Sequence, residues 1–151
     1  MSDKSFLNWP FFTEEHRALE ARLDAWATSH LQEITANEHH DLDGTCTRIV
    51  RALGNQGFTT YAVPASAGGQ HEPLDVRSLC IIRETLARHN ALADFAFAMQ
   101  GLGSGPLSLF GNEAQQDQAV LIIKQGMVDH TLVVDPEINL AATLIRLARI
   151  E

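Results

Sequence analysis

The sequence predicts an all-α fold, a bundle of five to six helices in an orthogonal or up-and-down arrangement with one long Pro/Gly loop. Three observations predict it. Apolar residues recur at helical spacing along most of the chain, capping residues precede these segments, and the stretch least suited to a helix is confined to 58–74. A chain of 151 residues is also long enough to bury one compact core.

The first two helices are predicted from their caps. Thr13 is suited to the N-cap of a helix over about 13–36, and the two glutamates after it suit the positive helix end. Asp43 is predicted to cap a second helix, which Gly57 ends in a left-handed conformation.

A loop and two more helices follow. Two prolines and two glycines within 58–74 predict an ordered, Ω-like loop. Asp75 is predicted to cap a third helix at the edge of the bundle, with Arg77, Arg83 and Arg88 away from its apolar face. The fourth helix, about 91–110, is apolar nearly all round and is predicted in the middle of the bundle.

Glycines and a proline are predicted to interrupt this fourth helix. The stretch GLGSG at 101–105 breaks the helical pattern, and Pro106 is suited to restarting a helix. By spacing alone, the glycines let the backbone approach either a neighbouring helix or a flat ligand.

The remaining sequence predicts a fifth helix beginning near Asn112 and stopped by Gly126, and a sixth, amphipathic helix after Pro136. We predict a helical domain over 1–118 and a divergent helical tail, 119–151, packed on it.

Composition excludes several function classes. The net charge of -8 and a pI near 5.3 argue against a nucleic-acid partner. The longest uninterrupted apolar run, 119–123, is far too short to span a membrane, and the N-terminus lacks a signal-peptide pattern. The cytoplasm is the predicted location.

No motif in the sequence predicts a metal site or a catalytic set. His39 and His40 lie beside aspartates, but no third ligand follows at a useful spacing, so a solvated loop is predicted. No histidine lies at a motif spacing from a serine or cysteine, and neither glycine cluster fits a phosphate-binding pattern.

Several segments agree at once with one family. They are the VPxxxGG-like loop (Val63, Pro64, Gly68, Gly69), the RETLAR helix at 83–88, the small-residue-rich helix after it, and GxxxLFGNEAQ beginning at Gly105. In order and spacing, residues 6–118 resemble the N-terminal helical domain of the acyl-CoA dehydrogenases.

The resemblance implies an FAD-dependent oxidoreductase that removes two hydrogens across the Cα–Cβ bond of an acyl-CoA thioester. It also implies that the small-residue helix and the glycines after it form part of the acyl pocket. Carried onto this chain, that wall consists of Phe95, Met99, Leu102, Gly103 and Gly105. The alternative is a bundle core, because the same spacing is typical of core residues.

The resemblance ends near residue 118. The loop residues 65–67 depart from the family's acidic and tyrosine-containing pattern, and 119–151 does not continue into the expected flavin-binding barrel. A truncated gene, a frameshift or a fusion would each produce this pattern. No residue is therefore assigned as the catalytic base or as an FAD contact, and the chain alone is predicted to be inactive.

Two other functions stay open from the sequence. One is a non-catalytic helical interaction module, which includes self-association into a homo-oligomer through exposed apolar surface. The other is a bundle that binds an acyl group or CoA without chemistry.

Overall fold

The computed structural model describes residues 3–114, apart from the side chains of residues 67 and 107–109. Four α-helices lie in this part of the chain: α1 (Glu14–Ile34), α2 (Leu42–Asn55), α3 (Val76–His89) and α4 (Ala91–Phe110). Short 3-10 helices occupy Ser5–Asn8, Phe58–Ala62 and Ala65–Ala67. The described chain contains no β-strand, only an isolated bridge between Pro64 and His71, so the all-α prediction is confirmed.

The helices form a ring of contacts in which α1 packs against α3, α3 against α4, α4 against α2, and α2 against α1. One apolar core lies inside the ring. Its most deeply buried large side chains are Leu23, Ile49, Leu53, Phe58, Ile81, Ile82, Leu86 and Phe97. The predicted fifth and sixth helices, and the predicted packing of 119–151, lie outside the described residues.

The predicted positions of α3 and α4 in the bundle need correction. Helix α3 packs between α1 and α4, while α4 leaves one of its faces exposed within the described chain. Helix α4 is apolar on two faces, and only the face with Ala93, Ala96 and Phe97 is buried. Apolar residues all round a helix predict burial all round only when neighbouring elements exist on every side.

The N-terminal segment before α1 is part of the fold. Leu7 is buried in the core, and the guanidinium of Arg17 donates to the carbonyl oxygens of Leu7 and Phe12, each at 3.2 Å. Lys4 pairs with two acidic residues of α1, Glu20 at 2.7 Å and Asp24 at 2.8 Å. These bonds fix residues 4–12 against α1.

An ionic cluster joins α1 to α3, and Arg88 lies at its centre. Arg88 Nη2 is 2.7 Å from a carboxylate oxygen of Glu20, whose side chain is only 5% exposed. Arg88 Nε lies 3.0 Å from Glu84, and His89 Nε2 lies 2.8 Å from Asp24. Arg88 was predicted to lie away from the apolar face of α3, at the edge of the bundle, but its side chain is only 18% exposed, and its charge compensates the buried carboxylate of Glu20.

A second polar cluster joins the N-termini of α1 and α3. The backbone N–H of Thr13 donates to His16 Nδ1 at 3.0 Å, so the proton of the neutral ring is on Nε2, 2.7 Å from Asp75 Oδ2. Asp75 is the N-cap of α3, as predicted, and also accepts from Ser78 Oγ and Arg77 Nε. Burial alone would raise the pKa of Asp75, but the hydrogen bonds from Arg77, His16 and Ser78 outweigh it and hold that pKa well below its usual range.

This geometry predicts acid sensitivity. A carboxyl group whose pKa is lower in the folded state stabilises the fold above its unfolded-state pKa of about 3.9, and this stabilisation is lost as the pH falls toward the folded-state value. We expect wild type to have a higher free energy of unfolding than Asp75→Asn, by an amount that is constant above about pH 5 and becomes smaller below about pH 4. Urea unfolding at several pH values measures it, and a pH-independent difference would contradict the assignment.

The N-cap of α2 differs from the prediction. Asp41, and not Asp43, precedes the helix, and its carboxylate accepts a hydrogen bond from the backbone N–H of Gly44 at 3.0 Å. Asp43 lies in the first turn, where its charge suits the positive helix end. Two aspartates two residues apart give the same sequence signal, so pattern alone did not separate them. Gly57 follows this helix with φ +75°, the left-handed conformation that was predicted.

The loop at 58–74 is ordered and tightly closed, as predicted. Its two 3-10 helices are followed by a chain reversal in which Gly68 has φ +86° and the Gly69 N–H donates to the carbonyl of Pro64 at 2.9 Å. The Gln70 N–H donates to the Thr60 carbonyl at 3.2 Å. A Cβ atom on Gly69 would overlap the carbonyl group of Val63, so the two glycines are needed for the turn itself.

Candidate functional site

Helix α4 carries an exposed apolar stripe, which we call the α4 face. It consists of Phe95, Met99, Leu102, Pro106 and Phe110, at spacings of four, three, four and four residues that keep all five on one side of the helix. Phe95 is 51% exposed, Leu102 64% and Phe110 86%, and Met99 is half-buried. Contiguous exposed apolar side chains of this size are typical of an interaction or ligand surface.

The opposite side of α4 anchors the helix. Ala93, Ala96 and Phe97 enter the core, and Asp94 is held by two hydrogen bonds from Arg83 of α3, at 2.8 and 2.9 Å. Farther along, the hydroxyl of Ser104 donates to the Gln100 carbonyl at 2.8 Å and lies 3.4 Å from the carbonyl of Ala62 in the loop. The helix therefore presents its exposed side in a fixed orientation.

The predicted interruption of this helix was wrong. Helix α4 runs without a break from residue 91 to 110, through all three glycines and Pro106. Glycine lowers helix stability by only about 1 kcal/mol, and packing of the same helix against α2 and α3 offsets that cost. Proline has no N–H, so the carbonyl of Leu102 does not receive the usual helical hydrogen bond from position 106.

The glycines of α4 do not serve close packing within the described chain. A Cβ atom on Gly103 or Gly105 would meet no described atom within 4 Å, and one on Gly101 would lie 3.9 Å from the Ala62 side chain. Gly103 is exposed and Gly105 is half-buried. Of the two alternatives left open by the sequence, approach to a neighbouring helix receives no support from residues 3–114.

This open space predicts the effect of an alanine substitution. Gly103→Ala is expected to raise the free energy of unfolding by about 0.5–1 kcal/mol, because alanine is the better helix former and no described atom opposes its Cβ. Thermal or urea unfolding of the 151-residue chain measures it. A loss of stability would show that a group outside the described part of the chain contacts Gly103.

The α4 face carries no ionisable group. Asp94 is the one charged residue between 91 and 110, and its carboxylate is bound to Arg83. The face can therefore bind an apolar group or exclude water from it, but it offers no base and no charged hydrogen-bond donor. The polar clusters around Asp75 and Arg88 belong instead to the interfaces of α1 with α3.

All five residues predicted for the acyl wall lie on α4. Phe95, Met99 and Leu102 share the exposed face, and Gly103 lies next to Leu102. Whether any of them contacts an acyl group stays a prediction. Sequence reasoning missed Pro106 and Phe110, although the four-residue spacing continues from Leu102 through both, because it placed a helix break between them and Leu102.

Other classes of site have no support in the described region. Among residues 3–114, no three His, Cys, Asp or Glu side chains are grouped so that they could hold a metal ion. His39 and His40 are exposed. No helix in that same region is both long and apolar enough to cross a bilayer.

Comparison with known protein families shows that most of this chain matches a family model. The family model described as "Acyl-CoA dehydrogenase, N-terminal domain" matches residues 13–123, which include α1 to α4 and the loop at 58–74. No curated protein has a sequence that matches this chain.

Proposed function

This chain belongs to the acyl-CoA dehydrogenase N-terminal domain family, and we propose that its α4 face forms one wall of the acyl-chain pocket of an FAD-dependent acyl-CoA dehydrogenase. The observation that carries the proposal is the row of exposed apolar side chains from Phe95 to Phe110 on a helix whose other side is anchored in the core. At 1.5 Å per residue this row is about 22 Å long, so it can lie along an extended hydrocarbon chain.

The chemistry of the face fits the acyl chain and not the polar parts of the ligands. Apolar side chains gain free energy by removing hydrocarbon from water, while the thioester, CoA and the FAD pyrophosphate need hydrogen-bond donors that this face lacks. FAD, when bound, would accept the hydride. We assign no residue of this chain to FAD, and we assign none as the base that removes the α-proton.

From this division of roles we propose that the 151-residue chain does not oxidise acyl-CoA by itself. Its proposed part is to shape the pocket and exclude water from it, with a cytoplasmic location as predicted from the sequence. An absorbance spectrum between about 300 and 550 nm, recorded with excess FAD before and after a medium-chain acyl-CoA is added, tests this. Stoichiometric flavin that is bleached by acyl-CoA would overturn it.

The acyl wall is tested by binding. Titration calorimetry of the 151-residue chain with acyl-CoAs of increasing chain length is expected to show weak binding that tightens with length, whereas CoA alone does not bind. Leu102→Asp is expected to weaken acyl-CoA binding at least about tenfold, or 1.4 kcal/mol. Leu42→Asp is the matched control, because Leu42 is a similarly exposed leucine, at 56%, on α2.

Two results would contradict the acyl wall. One is equal affinity for CoA and acyl-CoA, which would place recognition on the nucleotide part. The other is an equal effect of the two aspartate variants, which would show that Leu102 has no special role. Circular dichroism of both variants establishes that each one is folded.

A second candidate function is a non-catalytic interaction module, which includes self-association. A second pair of exposed apolar side chains favours it: Trp9 and Phe11, whose rings lie 5.7 Å apart. Sedimentation over a wide concentration range distinguishes it, because self-association through apolar surface raises the mass with concentration. A mass that stays at the monomer value over the whole concentration range would contradict self-association into a homo-oligomer.

A further inference from the structure

We propose that residues 137–151 of this chain fold back as an amphipathic helix and cover the α4 face. The proposal goes beyond the acyl-wall function and does not require it, because it concerns what lies on this face when no acyl-CoA is present. Its occupant is a segment of the same chain, outside the described residues, and not a second molecule.

The sequence of this segment has the required pattern. Written on a helix, seven of its nine apolar residues fall on one side, with Glu137 and Glu151 at the two ends of that side: Ile138, Leu140, Ala141, Leu144, Ile145, Leu147 and Ala148. Four polar residues fall on the other side, together with Ala142 and Ile150: Asn139, Thr143, Arg146 and Arg149. Asp135, Pro136 and Glu137 form a helix-start signal directly before it.

The two surfaces match in length and in chemistry. Fifteen residues of helix are about 22 Å long, which is the length of the α4 face from Phe95 to Phe110. The α4 face carries no charge, and the two charged residues on the apolar side of the segment, Glu137 and Glu151, lie at its two ends, where they can keep their hydration. A 15-residue helix is only marginally stable alone in water, whereas docking on an apolar surface would stabilise it.

Chain connectivity allows the contact. Helix α4 ends at Phe110, and residues 111–136 separate it from the segment. Even a partly compact connection of this length can return along α4, because a fully extended one would span roughly 85 Å. The family match ends at residue 123, so the segment lies outside the matched residues.

Photo-crosslinking of the full 151-residue chain tests the proposal. Leu102→p-benzoylphenylalanine places the probe at a 64% exposed position of the α4 face, and mass spectrometry identifies the peptide to which it attaches. We expect attachment to residues 137–151 within the monomer. Leu42→p-benzoylphenylalanine, on the exposed side of α2, is expected not to label that segment.

A second pair of variants tests the helix side that makes the contact. Leu144→Asp, on the apolar side, is expected to reduce the intramolecular crosslink at least about fivefold, because an aspartate there would have to lose its hydration. Thr143→Asp adds the same charge on the polar side and is expected to leave the yield unchanged. Equal effects of the two variants would overturn the proposal.

The remaining outcomes separate this inference from the acyl wall. Crosslinks only between two chains, or none to residues 137–151, would overturn tail docking, while the acyl-CoA titration would still decide the acyl wall. If both proposals hold, Leu144→Asp is expected to tighten acyl-CoA binding, because the tail then no longer competes for Leu102. Failure of acyl-CoA binding together with a monomeric crosslink would leave the tail as the sole occupant of this face.

Discussion

Arg88→Ala is expected to destabilise the fold by about 3–5 kcal/mol, more than any surface charge substitution. The substitution removes the guanidinium that lies 2.7 Å from the carboxylate of Glu20, and this carboxylate stays buried without the charge of Arg88. Lys4 also contacts Glu20, but it is 36% exposed and held on a short segment, so it compensates the charge less well. Urea unfolding of wild type and variant at neutral pH measures the difference.

Arg83→Ala is the matched control for Arg88. Arg83 lies on the same helix and also binds a carboxylate, that of Asp94, but its side chain is 54% exposed. Exposed pairs contribute about 0–1 kcal/mol, so this variant is expected to be close to wild type. If Arg88→Ala and Arg83→Ala lower the free energy of unfolding by the same amount, the burial of Glu20 is not the cause of the loss. The double variant Glu20→Leu with Arg88→Met is expected to recover most of the lost stability, because the buried carboxylate is removed together with its partner, while Glu84 is 41% exposed and Lys4 keeps its pair with Asp24.

Gly69→Ala is expected to lower the free energy of unfolding by about 3 kcal/mol or more. Its Cβ would overlap the Val63 carbonyl group and lie 2.7 Å from the carbonyl oxygen of Thr60. These are backbone atoms that cannot move without disturbing the hydrogen bonds from Gly69 to Pro64 and from Gln70 to Thr60. The loop would have to open, and with it the buried Val63 and Ala62 would lose their packing.

Gly57→Ala distinguishes steric overlap from backbone conformation. Gly57 has a positive φ of +75° but open space around its Cβ position, so alanine there is expected to cost only about 1–2 kcal/mol. Thermal and urea unfolding of the two variants give the comparison. A Gly69→Ala protein as stable as Gly57→Ala would show that the loop rearranges at little cost.

Local signals in the sequence were sufficient for several of the helix ends. The N-caps Thr13 and Asp75 and the left-handed Gly57 all lie where they were predicted, because capping depends on residues within one turn. Long-range effects were not predictable in the same way. The pairing of Arg88 with Glu20 joins residues 68 positions apart, and a pattern on one helix does not show which charged side meets another helix.

The candidate site was predicted in part. Phe95, Met99 and Leu102 were named together, and the structure places them on one face of α4. The exposure of that face and its extension to Phe110 were not foreseen, because an apolar side chain gives the same sequence signal whether it enters a core or faces solvent. The continuity of the helix through its glycines depends on tertiary packing that overrides local propensity.

The contacts of the N-terminal segment move the working boundary of this domain. The family match begins at residue 13, yet Lys4 binds two carboxylates of α1, Leu7 fills part of the core, and Phe11 accepts a hydrogen bond from Arg77. A protein shortened to the matched residues would expose the part of the core that Leu7 covers. It would also lack Lys4, so that Arg88 would be the remaining partner described for Glu20. For expression or domain grafting, the folding unit therefore begins about ten residues earlier than sequence similarity marks it.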